Sequence, residues 1–380
     1  MHNFEFTTTR NLVCEVGAAR KLSEYCKNLG IQRVMFITDP GILQTGMAQP
    51  LIELIENSGI SVLLYSDVQA DPPEALVLGT VEIARNENID GVIGFGGGSS
   101  MDVAKLVSVM TINDQPLSDM YGINQVTGKR LPLIQVPTTA GTGSEVTAVS
   151  IITTGETTKA GVVSKQLLPD LALLDAELTI GLPPHITAAT GIDAMVHAIE
   201  AYTTKHKKNV YSDMLSRQAL MLMSGSIKEA VHNGGNLQAR SNMLLGAMMA
   251  GQSFSNAPVA AVHALAYPLG GNFHIPHGLS NSLVLPPVLR FNASSAGDMY
   301  AELLPYIDNG NSTGGVDAFI ATIERLIDEV ELPKTLREMN ISESDLPMLA
   351  DDAMLQQRLL INNPREVTRE DALAIYSSVL

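Results

Sequence analysis

The chain has 380 residues, 45% of them hydrophobic and only 17% charged, with 31 glycines and 19 prolines spread as turn punctuation; this is the profile of a well-buried globular protein with room for two domains. Its 40 acidic against 24 basic residues leave a formal charge of −16, which repels phosphate backbones and anionic membrane surfaces and so excludes nucleic acid and membranes as partners. An anionic cofactor still fits, provided that local backbone N–H groups and helix N-termini receive it.

The chain opens on MHNFEFTTTR, which lacks the apolar core of a signal peptide, and no later run reaches the ~18 apolar residues of a membrane span. Cys14 and Cys26 are the only cysteines, too few for a disulfide framework or a thiolate metal cluster. A cytoplasmic protein is expected. Up to about residue 180, short β-branched runs alternate with helical patterns: RVMFITD (33–39), SVLLYSD (61–67), DGVIGFGGG (90–98) and LPLIQVP (131–137). Strands apolar on both faces belong to a parallel sheet covered by helices on each side, so residues 1–182 read as an α/β nucleotide-binding domain. After LALLDAEL (171–178) and Pro183-Pro184 the strand-like runs almost vanish. Alanine-, leucine- and methionine-rich helical segments follow to Leu380, which makes residues 183–380 an all-α domain. The methionine stripe in these helices reads as adaptable core packing.

Within the first half, GFGGGSSMDVAK (94–105) runs a strand into a glycine-rich turn and a helix opening at Ser99 or Ser100. Such a turn lets backbone approach a ligand and aims free N–H groups at a pyrophosphate, although a plain tight connection has the same appearance. The acidic ribose reader of the usual dinucleotide fingerprint follows the glycines by about 20 residues, whereas here the candidate, Asp39, precedes them. Asp39 suits a ribose hydroxyl and disfavours a 2′-phosphate, pointing to NAD over NADP; its competing reading is an N-cap before Pro40-Gly41. The loop VPTTAGTGSEVT (136–147) adds hydroxyls at Thr138, Thr139, Thr142, Ser144 and Thr147, either for the same ligand or as an ordinary surface loop.

In the second half, Asp193 and His197 stand four apart on a helical pattern and face the same way. VHALAYPLGGNFHIPHG (262–278) places His263 in a helix and His277 beyond Pro276, with the loop glycines between them to turn the chain back. One carboxylate and three imidazoles suit Fe²⁺, Zn²⁺ or a similar ion. A lone helix histidine is more often structural, and His2, His185, His206 and His232 are read that way, with His274 intermediate.

Taken together, GFGGGSSMDVAK, PTTAGTGSE, ATGIDAMVHAIEAY, VHALAYPLGGNFHIPHG and NPREVTREDA (363–372) resemble the iron-containing (group III) alcohol dehydrogenases, nearly end to end. The resemblance implies a dehydroquinate synthase-like architecture: an α/β domain with a parallel sheet for NAD(P), an all-α domain, and a catalytic cleft between them. It implies one divalent metal on Asp193, His197, His263 and His277, with Fe²⁺ first and Zn²⁺ or Ni²⁺ as alternatives. Cofactor contacts are implied at Asp39, Gly96, Gly97, Gly98, Ser99, Thr138, Thr139, Thr142, Thr147, Lys159 and Leu178. The expected reaction is hydride transfer between a small alcohol or aldehyde and the nicotinamide, by a homodimer or larger homo-oligomer. Tyr267 stands where many members carry histidine, so the proton relay is expected at Tyr267 or His274. The same tyrosine is similar to that of the hydroxyacid-oxoacid transhydrogenase branch, which stays as an alternative beside an NAD- and metal-dependent lyase on this fold.

Overall fold

The computed structural model describes residues 3–155, 158–308, 310 and 312–380. Its contacts group into two units: an α/β unit of Thr7–Thr139 and Gly143–Gly181, and a helical unit of Leu182–Leu380 joined by Ala140–Thr142 and a short stretch ending at Phe6.

The α/β unit runs β1 (Asn11–Cys14), α1 (Leu22–Asn28), β2 (Arg33–Ile37), α2 (Pro40–Thr45), α3 (Ala48–Asn57), β3 (Ser61–Tyr65), α4 (Glu74–Asn86), β4 (Gly91–Gly96), α5 (Gly98–Met110), β5 (Gly122–Ile123), β6 (Leu133–Pro137), β7 (Val149–Thr154), β8 (Thr158–Val163) and β9 (Leu171–Leu174). Six strands form one parallel sheet in the order β1-β9-β6-β4-β2-β3. The alternation of the pleat sorts its side chains cleanly. Met35, Ile37, Val92 and Leu133 pack with Val77, Val81 and Val103 on one face, while Val34, Phe36, Ile93, Phe95, Ile134 and Val136 pack with Leu22, Leu51 and Ile55 on the other. The central strands β4 and β6 are buried at every residue, whereas the edge strands β1 and β3 have no fully buried residue. Both faces are therefore helix-covered, as the continuous apolar runs predict.

The pattern of parallel strands is not the whole of it. A second sheet, in the order β5-β8-β7, pairs β7 with β8 antiparallel and β5 with β8 parallel. Its strands, VSIITT and TKAGVV, mix threonine, glycine and aliphatic residues, so no continuous apolar run marks them.

The helical unit contains α6 (Pro184–Thr203), α7 (Val210–Ser224), α8 (Ile227–His232), α9 (Leu237–Asn256), α10 (Ala261–Phe273), α11 (His277–Ile307) and α12 (Gly315–Glu329), followed by shorter helices that end with Arg369–Ser378. Helix α6 is buried over nearly its whole length and packs against α7, α9 and α11. An apolar circumference of this kind places a helix at the centre of its unit, and any polar side chain on it must find partners inside. Among the described residues no helix is long and apolar enough to cross a membrane.

Candidate metal centre and cofactor loops

Two residues of α6 face inward at the same place. Asp193 and His197, one turn apart, are 2% and 4% exposed. His263 comes from the first turn of α10 and His277 is the first residue of α11. The chain reverses between them at His274, not at the intervening glycines: Gly270 and Gly271 continue α10, and His274 closes it in the left-handed region at φ 55°. Gly278 then lets α11 approach α6, because a Cβ there would lie 2.4 Å from the Ala189 carbonyl oxygen.

The result is a cage whose four ligand atoms all lie within 4.8 Å of one another. Asp193 Oδ1 stands 3.9 Å from His197 Nε2, 3.8 Å from His263 Nε2 and 3.7 Å from His277 Nε2. Four donors around an ion at roughly 2.0–2.2 Å are spread about 3.3–3.6 Å apart in a tetrahedron, so the three distances from Asp193 are within a few tenths of an ångström of that spacing and the imidazoles draw together to complete it. Burial alone would raise the Asp193 pKa, but the attraction of His197, His277 and His263 and a hydrogen bond from Asn281 hold it below the usual carboxylate range. Burial pushes His197 down to about 3 against the pull of Asp193, so its imidazole is neutral, as a metal ligand must be.

Two neighbours set the donors, and neither is singled out by the sequence motifs. Glu200, itself buried, accepts hydrogen bonds from the Ala260 and Val262 N–H groups at 3.0 and 2.6 Å and from His263 Nδ1–H at 2.7 Å. The proton is thus fixed on Nδ1, and His263 Nε2 is left as a buried lone pair with no hydrogen-bond partner. Asn281 donates from Nδ2 to Asp193 Oδ1 at 2.6 Å and lies 3.3 Å from His277 Nε2. A signal for both existed: Glu200 continues the Asp193–His197 stripe, and Asn281 is one turn after His277. The His197 ring stacks on Phe254 and His263, with centroids 4.3 and 4.7 Å apart. The His277 side chain is 41% exposed against 3–6% for the other three, which leaves one side of the cage open. Tyr267 lies beside it, its ring 5.9 Å from that of His277, while His274 is exposed. His185, His206 and His232 stand apart from the cage, and His2 lies outside the described residues.

In the α/β unit, β2 leads to its neighbour β3 on one side and β4 leads to β6 on the other. The crevice at the carboxyl ends of β2 and β4 is therefore a topological switch point, the usual ligand position in such sheets. Asp39 follows β2 and the glycines follow β4, so residues far apart in sequence meet. Ser100 Oγ is 3.4 Å from Asp39 Oδ2, and a Cβ at Gly96 would come within 3.2 Å of that oxygen. Gly96 also has φ 147°, a conformation glycine alone adopts readily. Gly97 is the N-cap of α5, so the helix begins at Gly98, one residue before Ser99. Asp39 is the N-cap of α2, its Oδ1 accepting from Ile42 N–H at 3.0 Å, and its Oδ2 faces the glycine loop.

Thr138 continues β6 and its N–H donates to the Gly96 carbonyl at 3.0 Å, while its buried hydroxyl has no partner among the described residues. Thr139 follows it, and a Cβ at Gly97 would lie 3.8 Å from its hydroxyl. Thr147 is buried, and its hydroxyl accepts from Lys105 at 3.2 Å. Thr142 belongs to the short piece grouped with the helical unit. Lys159 on β8 is paired with Asp71 at 2.5 Å and donates to Thr153 Oγ1 at 3.3 Å. Leu178 sits in the turn after β9, packed into the core beside Leu171 and Leu173.

The iron-containing alcohol dehydrogenase model matches residues 9–176, and the C-terminal model of the Fe-containing alcohol dehydrogenase family matches residues 187–380. The chain is 40% identical over 375 residues to a long-chain-alcohol dehydrogenase of Geobacillus thermodenitrificans, covering 95% of this chain and 93% of that protein. It superposes on a 1,3-propanediol oxidoreductase crystal structure with a TM-score of 0.96 at 32% identity, each chain covered completely. A sulfoacetaldehyde reductase from Bifidobacterium kashiwanohense in complex with NAD⁺ is similar at a TM-score of 0.90 and 29% identity, covering 100% of this chain and 99% of the other. With both halves matched and one parallel-sheet unit and one helical unit in place, the chain belongs to the iron-containing alcohol dehydrogenase family, metal-dependent oxidoreductases acting on CH–OH groups.

Proposed function

We propose that this protein is an NAD-linked dehydrogenase that interconverts a small alcohol and its aldehyde or ketone, with Asp193, His197, His263 and His277 holding one divalent ion, Fe²⁺ first and Zn²⁺ or Ni²⁺ after it. The observation that carries the reading is the four-donor cage, with His263 held by Glu200 so that a bare Nε2 faces inward. When bound, the ion supplies Lewis acidity toward a substrate oxygen and the nicotinamide supplies the two-electron acceptor.

The chain's own residues do the rest. Glu200 and Asn281 orient His263 and Asp193, and burial keeps His197 neutral. Tyr267, against His277, is the better placed proton carrier; His274, exposed at the end of α10, is the second.

For the cofactor, the N-terminus of α5 at Gly97, Gly98 and Ser99 receives the pyrophosphate, with Gly96, Thr138, Thr139, Thr142, Thr147, Lys159 and Leu178 around the rest of the molecule. Asp39 takes the ribose hydroxyls and repels a 2′-phosphate, favouring NAD over NADP. Lys159 leaves Asp71 to take part. The nucleotide-handling half is residues 1–182 and the metal-handling half residues 183–380. A cytoplasmic homodimer or larger homo-oligomer completes the reading, consistent with two free cysteines.

The test is NADH absorbance after metal-stripped protein, restored separately with Fe²⁺ or Zn²⁺, meets NAD and a panel of primary alcohols, diols and hydroxy acids. Metal-dependent NADH formation is the expected result. NAD binding with no net reduction on any substrate would overturn it in favour of the transhydrogenase or lyase alternative.

A further inference from the structure

Lys105 is a charged side chain with no exposed surface. It lies on α5, about two turns from the glycine loop at which that helix opens. Its ammonium donates to Ser144 Oγ at 2.7 Å, to Thr147 Oγ1 at 3.2 Å and to the Val149 carbonyl at 2.6 Å, which occupies all three of its hydrogens. Asp102, one turn earlier on the same face, stands 3.5 Å away as counter-charge.

Asp102 grips the same segment. Its Oδ1 accepts from the Ser144 hydroxyl at 2.6 Å and its Oδ2 from the Ile151 N–H at 2.8 Å, while the Ser150 hydroxyl donates to the Asp102 carbonyl at 3.0 Å. An aliphatic side chain would fill this space without the penalty of enclosing an ammonium. The charge is therefore retained for what it holds.

We propose that Lys105 is a positioning residue for cofactor binding. Through Ser144, Thr147 and Val149 it ties the threonine-rich loop to the helix that begins at the glycine loop, so that both offer the nicotinamide cofactor one rigid surface. The inference rests on the NAD reading above. Lys105 is enclosed and acts only through the loop; an untied loop must be ordered at the moment of binding, which weakens affinity more than turnover of the bound cofactor.

Lys105→Met keeps the apolar stem and removes the donors. Titration with NADH, followed by its own fluorescence in a chain with no tryptophan, should give binding weaker by about tenfold or more. KM for NAD should rise by a larger factor than kcat falls, metal affinity measured by chelator competition should stay unchanged, and amide exchange across residues 144–151 should quicken. Equal NADH affinity in the variant and the wild type overturns the inference. Should Lys105→Met fail to fold, Ser144→Ala decides: weaker NADH binding supports the role and unchanged binding overturns it. If the wild type itself binds no NADH, the cofactor reading falls, and with it any role of Lys105 in cofactor binding, whatever the exchange data give.

Discussion

In the helical unit the groups proposed to meet the ligand are side chains held by other side chains; in the α/β unit the proposed contacts are chiefly backbone N–H groups and hydroxyls at strand ends. The cage is built from three helices, of which α11 approaches α6 at one glycine, and its donors are oriented by Glu200 and Asn281. The cofactor loops depend instead on where the sheet order reverses and on a backbone at φ 147°. Substitutions in the first region should therefore act sharply and on metal affinity, and those in the second by degrees and on cofactor affinity.

The largest expected effect comes from Gly278→Val. With the Ala189 carbonyl oxygen 2.4 Å from the added Cβ, α11 must move off α6 and carry His277 with it; metal retention after dialysis should fall by more than about 100-fold, and stability by about 1–3 kcal/mol. Retention equal to wild type would mean that the helix contact does not set the cage. Next comes Glu200→Gln, which keeps the shape but weakens the hold on His263 Nδ1–H, and chelator competition should show metal affinity lower by about 10–100-fold.

In the other region, Asp39→Asn separates charge from capping, because the amide oxygen still accepts from Ile42 N–H. The ratio of NADP to NAD efficiency should rise by about tenfold with little change in thermal midpoint, whereas Asp39→Ala should also lose about 1 kcal/mol of stability. An unchanged cofactor ratio in both would remove Asp39 from the ribose site.

The smallest effect is a pH dependence near the same loops. Burial raises the Glu145 pKa from 4.5 to about 7 against the attraction of Lys105. Between those values the folded chain holds a proton that the unfolded chain has released, so this group's contribution is full below about 4.5 and is lost as pH rises through about 7. Relative to Glu145→Gln, the wild type should lose about 1–3 kcal/mol of unfolding free energy across that window, read by urea denaturation at either end. Parallel profiles would mean that Glu145 titrates normally.

What the sequence makes legible follows from how local each signal is. Strands β2, β3, β4 and β6 are each a single β-branched or aliphatic run between helical patterns, so they can be seen without their partners. β7 and β8 cannot, since their stability lies in pairing with each other. Asp193 and His197 share a helix face by spacing alone, but the turn that returns His277 is made by His274 in the left-handed region, where two nearby glycines are the more obvious candidates. Glu200 and Lys105 lie within the quoted motifs and Asn281 one turn after His277, but nothing in those patterns marks what they do; only the fold reveals that each is buried and what it holds. The meeting of Asp39 with Gly96 is likewise a product of strand order, invisible to any pattern confined to one segment.

The most direct test of the account is His263→Ala, assayed in parallel for alcohol-dependent NADH formation in the presence of added Fe²⁺ or Zn²⁺ and for NADH binding. The account predicts that turnover disappears while NADH affinity stays within about twofold, because His263 belongs to the helical unit whereas Asp39, the glycine loop, Thr138 and Thr139 belong to the α/β unit. A variant that keeps wild-type turnover would contradict the metal cage as the catalytic centre.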